Sequence, residues 1–139
     1  MKTVDWNDMG ITVQWDNESK TVIRQTFDGQ WTWDEFYQKN NVKIPTMMKE
    51  VAHTVHVFSD FTSSDVPSMG GALKHANNVL DAYPDNWGML VVVGGNTMIN
   101  LLVNMFRSLF KNSVGGKTFT AQMISDAYKL VDEFEEEQR

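Results

Sequence analysis

Ile11, Val13 and Trp15 alternate with Thr12, Gln14 and Asp16. A period of two sends successive side chains to opposite faces, which predicts a strand with one buried face. Asp16-Asn17-Glu18-Ser19 supplies turn residues, and Thr21 to Phe27 resumes β-branched and aromatic character before Asp28-Gly29 stops it, so the two runs predict a β-hairpin. The period then changes. Trp33, Phe36, Tyr37, Met47, Met48 and Val51 fall on a helical stripe, and Thr32 followed three residues later by Glu35 has the spacing of a capping box. Pro45 lacks the N–H that a helix interior uses, so a kink or break is expected near Lys43.

Val55, Val57 and Phe58 predict a short apolar strand ending at Asp60, and Phe61 to Pro67 reads as a polar loop. Ser68-Met69-Gly70-Gly71 leads into a second helix carrying Ala72, Ala76, Val79, Leu80 and Tyr83, which Pro84-Asp85-Asn86 ends. Met89 to Val93 is a continuous apolar run of the kind buried on both faces of a parallel sheet. Gly94-Gly95-Asn96 turns the chain into a third helix, Thr97 to Phe110, whose apolar positions exceed the usual stripe; it is either deeply buried or in contact with a partner. Lys117 to Thr120 reads as a brief edge strand, and a last helix carries Ile124, Ala127, Tyr128, Val131 and Phe134. The order β-β-α-β-α-β-α-β-α, without linker or repeat, predicts one α/β domain over residues 1–139 with its core at about 11–134. The sheet is expected to be mostly parallel with right-handed crossovers, its first strand antiparallel at an edge.

At 139 residues and 15.9 kDa, with 42% apolar residues, the chain buries about two thirds of its unfolded surface and needs no covalent staples. It has no cysteine, which removes disulfides, thiolate metal sites and cysteine nucleophiles together. Its longest apolar run, Met89 to Val93, is far shorter than the ~18 residues of a membrane span, and Asp5 and Asp8 disrupt any secretory signal. A cytoplasmic chain is expected. The net charge of −6 repels phosphate backbones and argues against nucleic acid or anionic membrane as partners. The acidic tail from Glu133 to Glu137 reads as a solvated helix end.

Few motifs carry chemistry. Gly116-Lys117-Thr118 resembles the end of a phosphate-binding loop, but position 111 is lysine where that loop needs glycine. Gly94, Gly95 and Asn96 stand between a buried strand and a helix N-terminus, which makes them a possible anion-binding turn or a plain turn capped by Asn96. His53 and His56 are expected on opposite sides of a strand start, and His75 belongs to another helix, so no metal site is expected. No nucleophile elbow or pair of catalytic carboxylates is evident, so no catalytic residue is assigned and no cofactor is implied. Four of the five tryptophans lie in or beside the hairpin and first helix, where they are expected to pack the two together.

The hairpin, the strand VHVFSDF, the helix start VPSMGGALKHA and the run MLVVVGG followed by a helix to LVNMFRSLF resemble, in that order, the STAS domain of SpoIIAA-like bacterial anti-sigma-factor antagonists. The resemblance covers about Ile11 to Phe134. It implies a right-handed β-α superhelix with a four- or five-stranded mixed sheet, an N-terminal β-hairpin and about four helices. It also implies a regulatory serine at the start of the second helix, phosphorylated by a kinase-type partner. That serine falls on Ser68 and the motif's glycine on Gly70, with Asp60 closing the preceding strand and Thr62 in the switch loop. Pro67 stands where the motif has aspartate, and Met69 where it has a second hydroxyl residue.

A serine at a helix N-terminus caps it by accepting a backbone N–H, and the same place suits a phosphate. The expected function is a non-enzymatic STAS-like regulatory or protein-interaction domain switched at Ser68, which binds a protein partner through the surface around the second helix and the loop Thr62 to Met69, or a second copy of the chain through the extra apolar face of the third helix. The alternative is a carrier of a small apolar ligand or lipid, similar to CRAL-TRIO domains, with the nine methionines lining the pocket.

Overall fold

The computed structural model describes residues 10–64, 75, 82–109 and 117–138. Five strands form one sheet in the order β1 (Ile11–Trp15), β2 (Val22–Gly29), β3 (Val55–Ser64), β4 (Trp87–Val93) and β5 (Thr118–Ala121). The first pair is antiparallel and the other three are parallel. A sheet whose strands follow sequence order steps always in one direction, so crossovers of the usual hand place their helices on one face.

The packing obeys this rule. On that face Ile11, Val13, Ile23, Phe27, Val55, Val57, Trp87 and Leu90 meet Phe36, Ile44 and Met48 of the helical stretch between β2 and β3. Beside them Val92 packs with Ile99 and Val103 of α3 (Thr97–Leu109). Among the described residues the other face is covered by α4 (Ile124–Glu137), which follows the last strand. Ala127 and Val131 of α4 cover Val22, Phe58, Met89, Val91 and Val93 there.

The stretch between β2 and β3 comprises α1 (Trp33–Gln38), a π-helical turn at Lys39–Lys43 and α2 (Ile44–Met48). The break expected from Pro45 is instead a widening. The N–H of Ile44 donates to the carbonyl of Lys39, five residues back, and Pro45 falls in the first turn of α2, where no N–H is required. Thr32 caps α1 through Glu35 N–H at 3.1 Å, as its spacing predicts. The return half of the capping box is absent: buried Glu35 accepts the N–H of Ile11 on β1 at 2.9 Å and so ties the helix to the edge strand.

β3 is longer than its apolar run. Phe61 to Ser64 belong to the strand rather than to a loop, because Ser63 and Ser64 pair with Asp28 and Gly29 beyond a register shift at which β3 carries one extra residue. At the other end Asn86 Nδ2 donates to the carbonyls of Met48, Val51 and His53, closing the turn that delivers the chain into β3. Trp31 and Trp33 stack edge-on with ring centroids 4.9 Å apart and pack with Phe36, as expected of tryptophans joining hairpin to helix. Trp6 lies outside the described residues.

Candidate functional site

Gly94 and Gly95 end β4 and set the shape of the sheet's carboxyl edge. Gly94 has φ of +69°, and a Cβ there would stand 2.6 Å from Thr62 Oγ1; at Gly95 it would stand 2.6 Å from Ile99 Cγ2. The turn therefore presses against β3 on one side and α3 on the other, which only glycine permits. Gly94 N–H donates to Ala121 O at 2.9 Å, and Asn96 Oδ1 accepts Ile99 N–H at 2.9 Å as the cap of α3. Thr62 is held by Asp60, whose Oδ1 accepts both the threonine N–H (2.9 Å) and its hydroxyl (2.5 Å).

These contacts leave a cleft of about 300 Å³ lined by Thr62, Gly94, Gly95, Asn100, Thr120, Ala121 and Gln122. It lies at the carboxyl ends of β3, β4 and β5. Its lining offers hydroxyls, amides and backbone groups but no side chain that titrates near neutral pH, and the carboxylate of Asp60 stands behind Thr62. Such a surface can recognise a peptide or polar group by hydrogen bonding; it brings no cation to a phosphate. Of the residues singled out from the sequence, Asp60, Thr62, Gly94, Gly95 and Asn96 are gathered at this edge, whereas Ser68 and Gly70 lie outside the described residues.

Lys117 of the phosphate-loop-like triplet is occupied elsewhere. Its Nζ donates to Trp87 O at 3.2 Å and stands 4.5 Å from the centroid of the Trp87 ring. Met48 and Met89 fill the core, whereas Met98, Met105 and Met123 face solvent.

α3 reaches the cleft through Asn100, and its exposed apolar residues lie on a different side of the helix. Ile99 and Val103 are buried, but Met98, Leu101, Met105 and Leu109 are 45%, 50%, 39% and 72% exposed. At about 100° per residue they form one continuous stripe, turned away from the core positions. The helix is thus not deeply buried, and the extra apolar character noted in its sequence lies on the open side.

Three polar clusters inside the fold are invisible in the linear pattern. His56, wholly buried on β3, donates from Nε2 to Glu135 Oε1 at 3.0 Å and accepts Met89 N–H at Nδ1. One of the tail acids is therefore a structural partner rather than a solvated end. Asp16 accepts the Tyr128 hydroxyl at 2.5 Å and lies 2.9 Å from Arg24 Nε, anchoring α4 to the hairpin. Burial and the Asp16 charge push the Tyr128 hydroxyl well above the ordinary phenol range. Gln25 donates to Asn40 and Ser59, and the Tyr83 hydroxyl donates to Asn40 Oδ1 at 2.6 Å.

Burial holds His56 below its ordinary value of 6.5 against the opposing pull of Glu135, and Lys117 adds to the lowering. Both ring nitrogens serve the neutral form, and protonation of Nδ1 would break the bond from Met89. Below about 6.5 the unfolded chain takes up this proton more readily than the folded one, so stability falls as pH drops towards the folded value. The loss is at most about 1.4 kcal/mol per pH unit in that window. Urea midpoints of the native chain and of His56→Gln, compared at pH 7.5 and 5.5, are expected to show the steeper decline in the native chain; equal declines would contradict the assignment.

The other histidines stand apart: His53 Nε2 contacts Lys20 O at 2.8 Å, and His75 Nδ1 meets the Tyr37 hydroxyl at 2.5 Å. Among the described residues no three His, Asp or Glu side chains converge to hold a metal ion, and no helix is long and apolar enough to cross a membrane. Comparison with protein-family models, with curated proteins and with solved structures finds no match to this chain.

Proposed function

We propose that this chain is a non-enzymatic protein-interaction domain of STAS-like kind, which engages its partner through the outward face of α3. The observation that carries the reading is the exposed stripe of Met98, Leu101, Met105 and Leu109, flanked by the exposed polar residues Asn104 and Ser108. An apolar face bordered by polar groups is the composition of a recognition surface. The STAS-like part is supported by a sheet in strict sequence order with one antiparallel pair at its first edge. In that reading Ser68 is the regulatory phosphoacceptor, and its phosphate weakens partner binding.

A photo-crosslinking amino acid at position 101, compared with the same residue at position 129 on α4, tests the surface. Position 101 is expected to form a discrete protein adduct in the native cell extract and position 129 none; Ser68→Asp lowers the yield of the adduct if the serine is the switch. Equal labelling from both positions, or none from 101, would refute the surface.

A further inference from the structure

The α3 face has a specific occupant suggested by its area and charge. Its four exposed apolar side chains present about 400 Å², the size of the largest apolar patch on a typical protein surface, which is often functional. Two copies of it, with the exposed flanks at Asn104 and Ser108, would bury about 1,000 Å², the lower bound for a specific and reversible interface.

Charge selects the same face. Two chains of net charge −6 repel one another, so they meet at least cost where carboxylates are absent. From Thr97 to Leu109 there is no acid, and the one charged residue, Arg107, is drawn away over the Phe119 ring at 4.9 Å. α4, by contrast, carries Asp126, Asp132, Glu133, Glu135, Glu136 and Glu137 on the other side of the sheet. Antiparallel packing of two α3 helices also sets the positive end of each beside the negative end of the other. A two-fold axis needs one surface complementary to itself, and a flexible methionine-rich stripe adapts to that requirement.

We propose that α3 is a self-association surface: a second copy of this chain packs antiparallel on Met98, Leu101, Met105 and Leu109 about a two-fold axis. This rests on the reading of α3 as an interaction face and names its partner.

Sedimentation equilibrium of the full chain from about 10 to 500 µM is expected to show a reversible monomer–dimer equilibrium, as an interface near the lower size limit dictates. Raising NaCl from about 50 to 300 mM screens the residual repulsion and should strengthen association roughly two- to fivefold. Leu101→Asp, and independently Met105→Lys, should weaken it by about 30-fold or more, since each buries an unpaired charge. Lys129→Ala makes the same change in net charge as Leu101→Asp but on α4, and should leave it within about twofold. Unchanged urea midpoints in dilute solution verify that the variants fold.

A chain that stays monomeric throughout, or a dimer that survives both Leu101→Asp and Met105→Lys, overturns self-association at α3. If the chain is monomeric while position 101 still crosslinks a different protein, self-association falls and the interaction reading stands. If position 101 crosslinks nothing as well, both fall.

Discussion

Gly88→Ala is expected to cost about 3 kcal/mol, at the upper end of what overpacking a well-filled interior costs. A Cβ at Gly88 would stand 2.4 Å from both Cε1 and Nδ1 of His56 and 2.7 Å from Thr54 Cγ2. Contacts this short force a neighbour to move, and His56 has nowhere to go. Its ring is wholly buried, bonded to Glu135 on one side and to the Met89 N–H on the other, and edge-on to Phe134 at 5.2 Å. Shifting it breaks at least one of those bonds inside the core, which adds the desolvation cost of an unpaired donor or acceptor. The urea midpoint measures the loss.

The double variant Gly88→Ala, His56→Ala isolates the cause. With the imidazole gone, the added methyl enters vacated space, so the pair should be less destabilised than the sum of the single changes by about 1–3 kcal/mol. Strict additivity would show that the methyl strains the backbone of β4 and not the ring.

Phe27→Ala is expected to be more damaging still, at about 3–5 kcal/mol, or roughly 2 M in the urea midpoint. Phe27 is fully buried, stacked on Phe61 at 4.1 Å, tilted against Trp31 at 4.9 Å and near Phe36 at 6.1 Å. Its neighbours come from β3, from the segment before α1 and from α1 itself, each held by its own backbone bonds. They cannot close together over the void, so most of the cavity cost remains. The loss should be accompanied by a changed near-ultraviolet circular dichroism signal from Trp31, whereas Leu101→Asp on the open side of α3 should leave that signal intact. A fall below about 1 kcal/mol would mean that the aromatic cluster repacks freely, contrary to the rigidity described above.

Much of the architecture was legible in local pattern. Alternation at Ile11, Val13 and Trp15 and the run from Met89 to Val93 mark a half-buried edge strand and a wholly buried inner one, and they occupy those places in the sheet. Thr32 and Asn96 cap the helices their positions announce. Periodicity failed where pairing depends on a distant segment. Thr62, Ser63 and Ser64 are polar and look like loop, yet they extend β3 because β2 offers them backbone partners. Glu35 has the spacing to complete a capping box, but the edge strand supplies a buried N–H that competes for its carboxylate. Pro45 signals disruption, and the π turn before it absorbs the missing bond.

The candidate site divides in the same way. Asp60, Thr62, Gly94, Gly95 and Asn96 stood out in the chain as turn and strand-end residues; Thr120 and Gln122, which complete the cleft, did not, because nothing local distinguishes them from other polar residues beside a short strand. His56 and Glu135 are 79 residues apart, and no spacing rule can join them.

By itself the sequence determined the order and type of most of the described strands and helices, and that α3 has more apolar surface than one core face can use, since these follow from side-chain periodicity and backbone preference within a few residues. Only the tertiary structure decided which apolar residues of α3 are left facing outward, which acid holds the buried histidine and which glycines admit no side chain. Those outcomes depend on surfaces brought together from distant parts of the chain, where burial and close approach set the energy of each group.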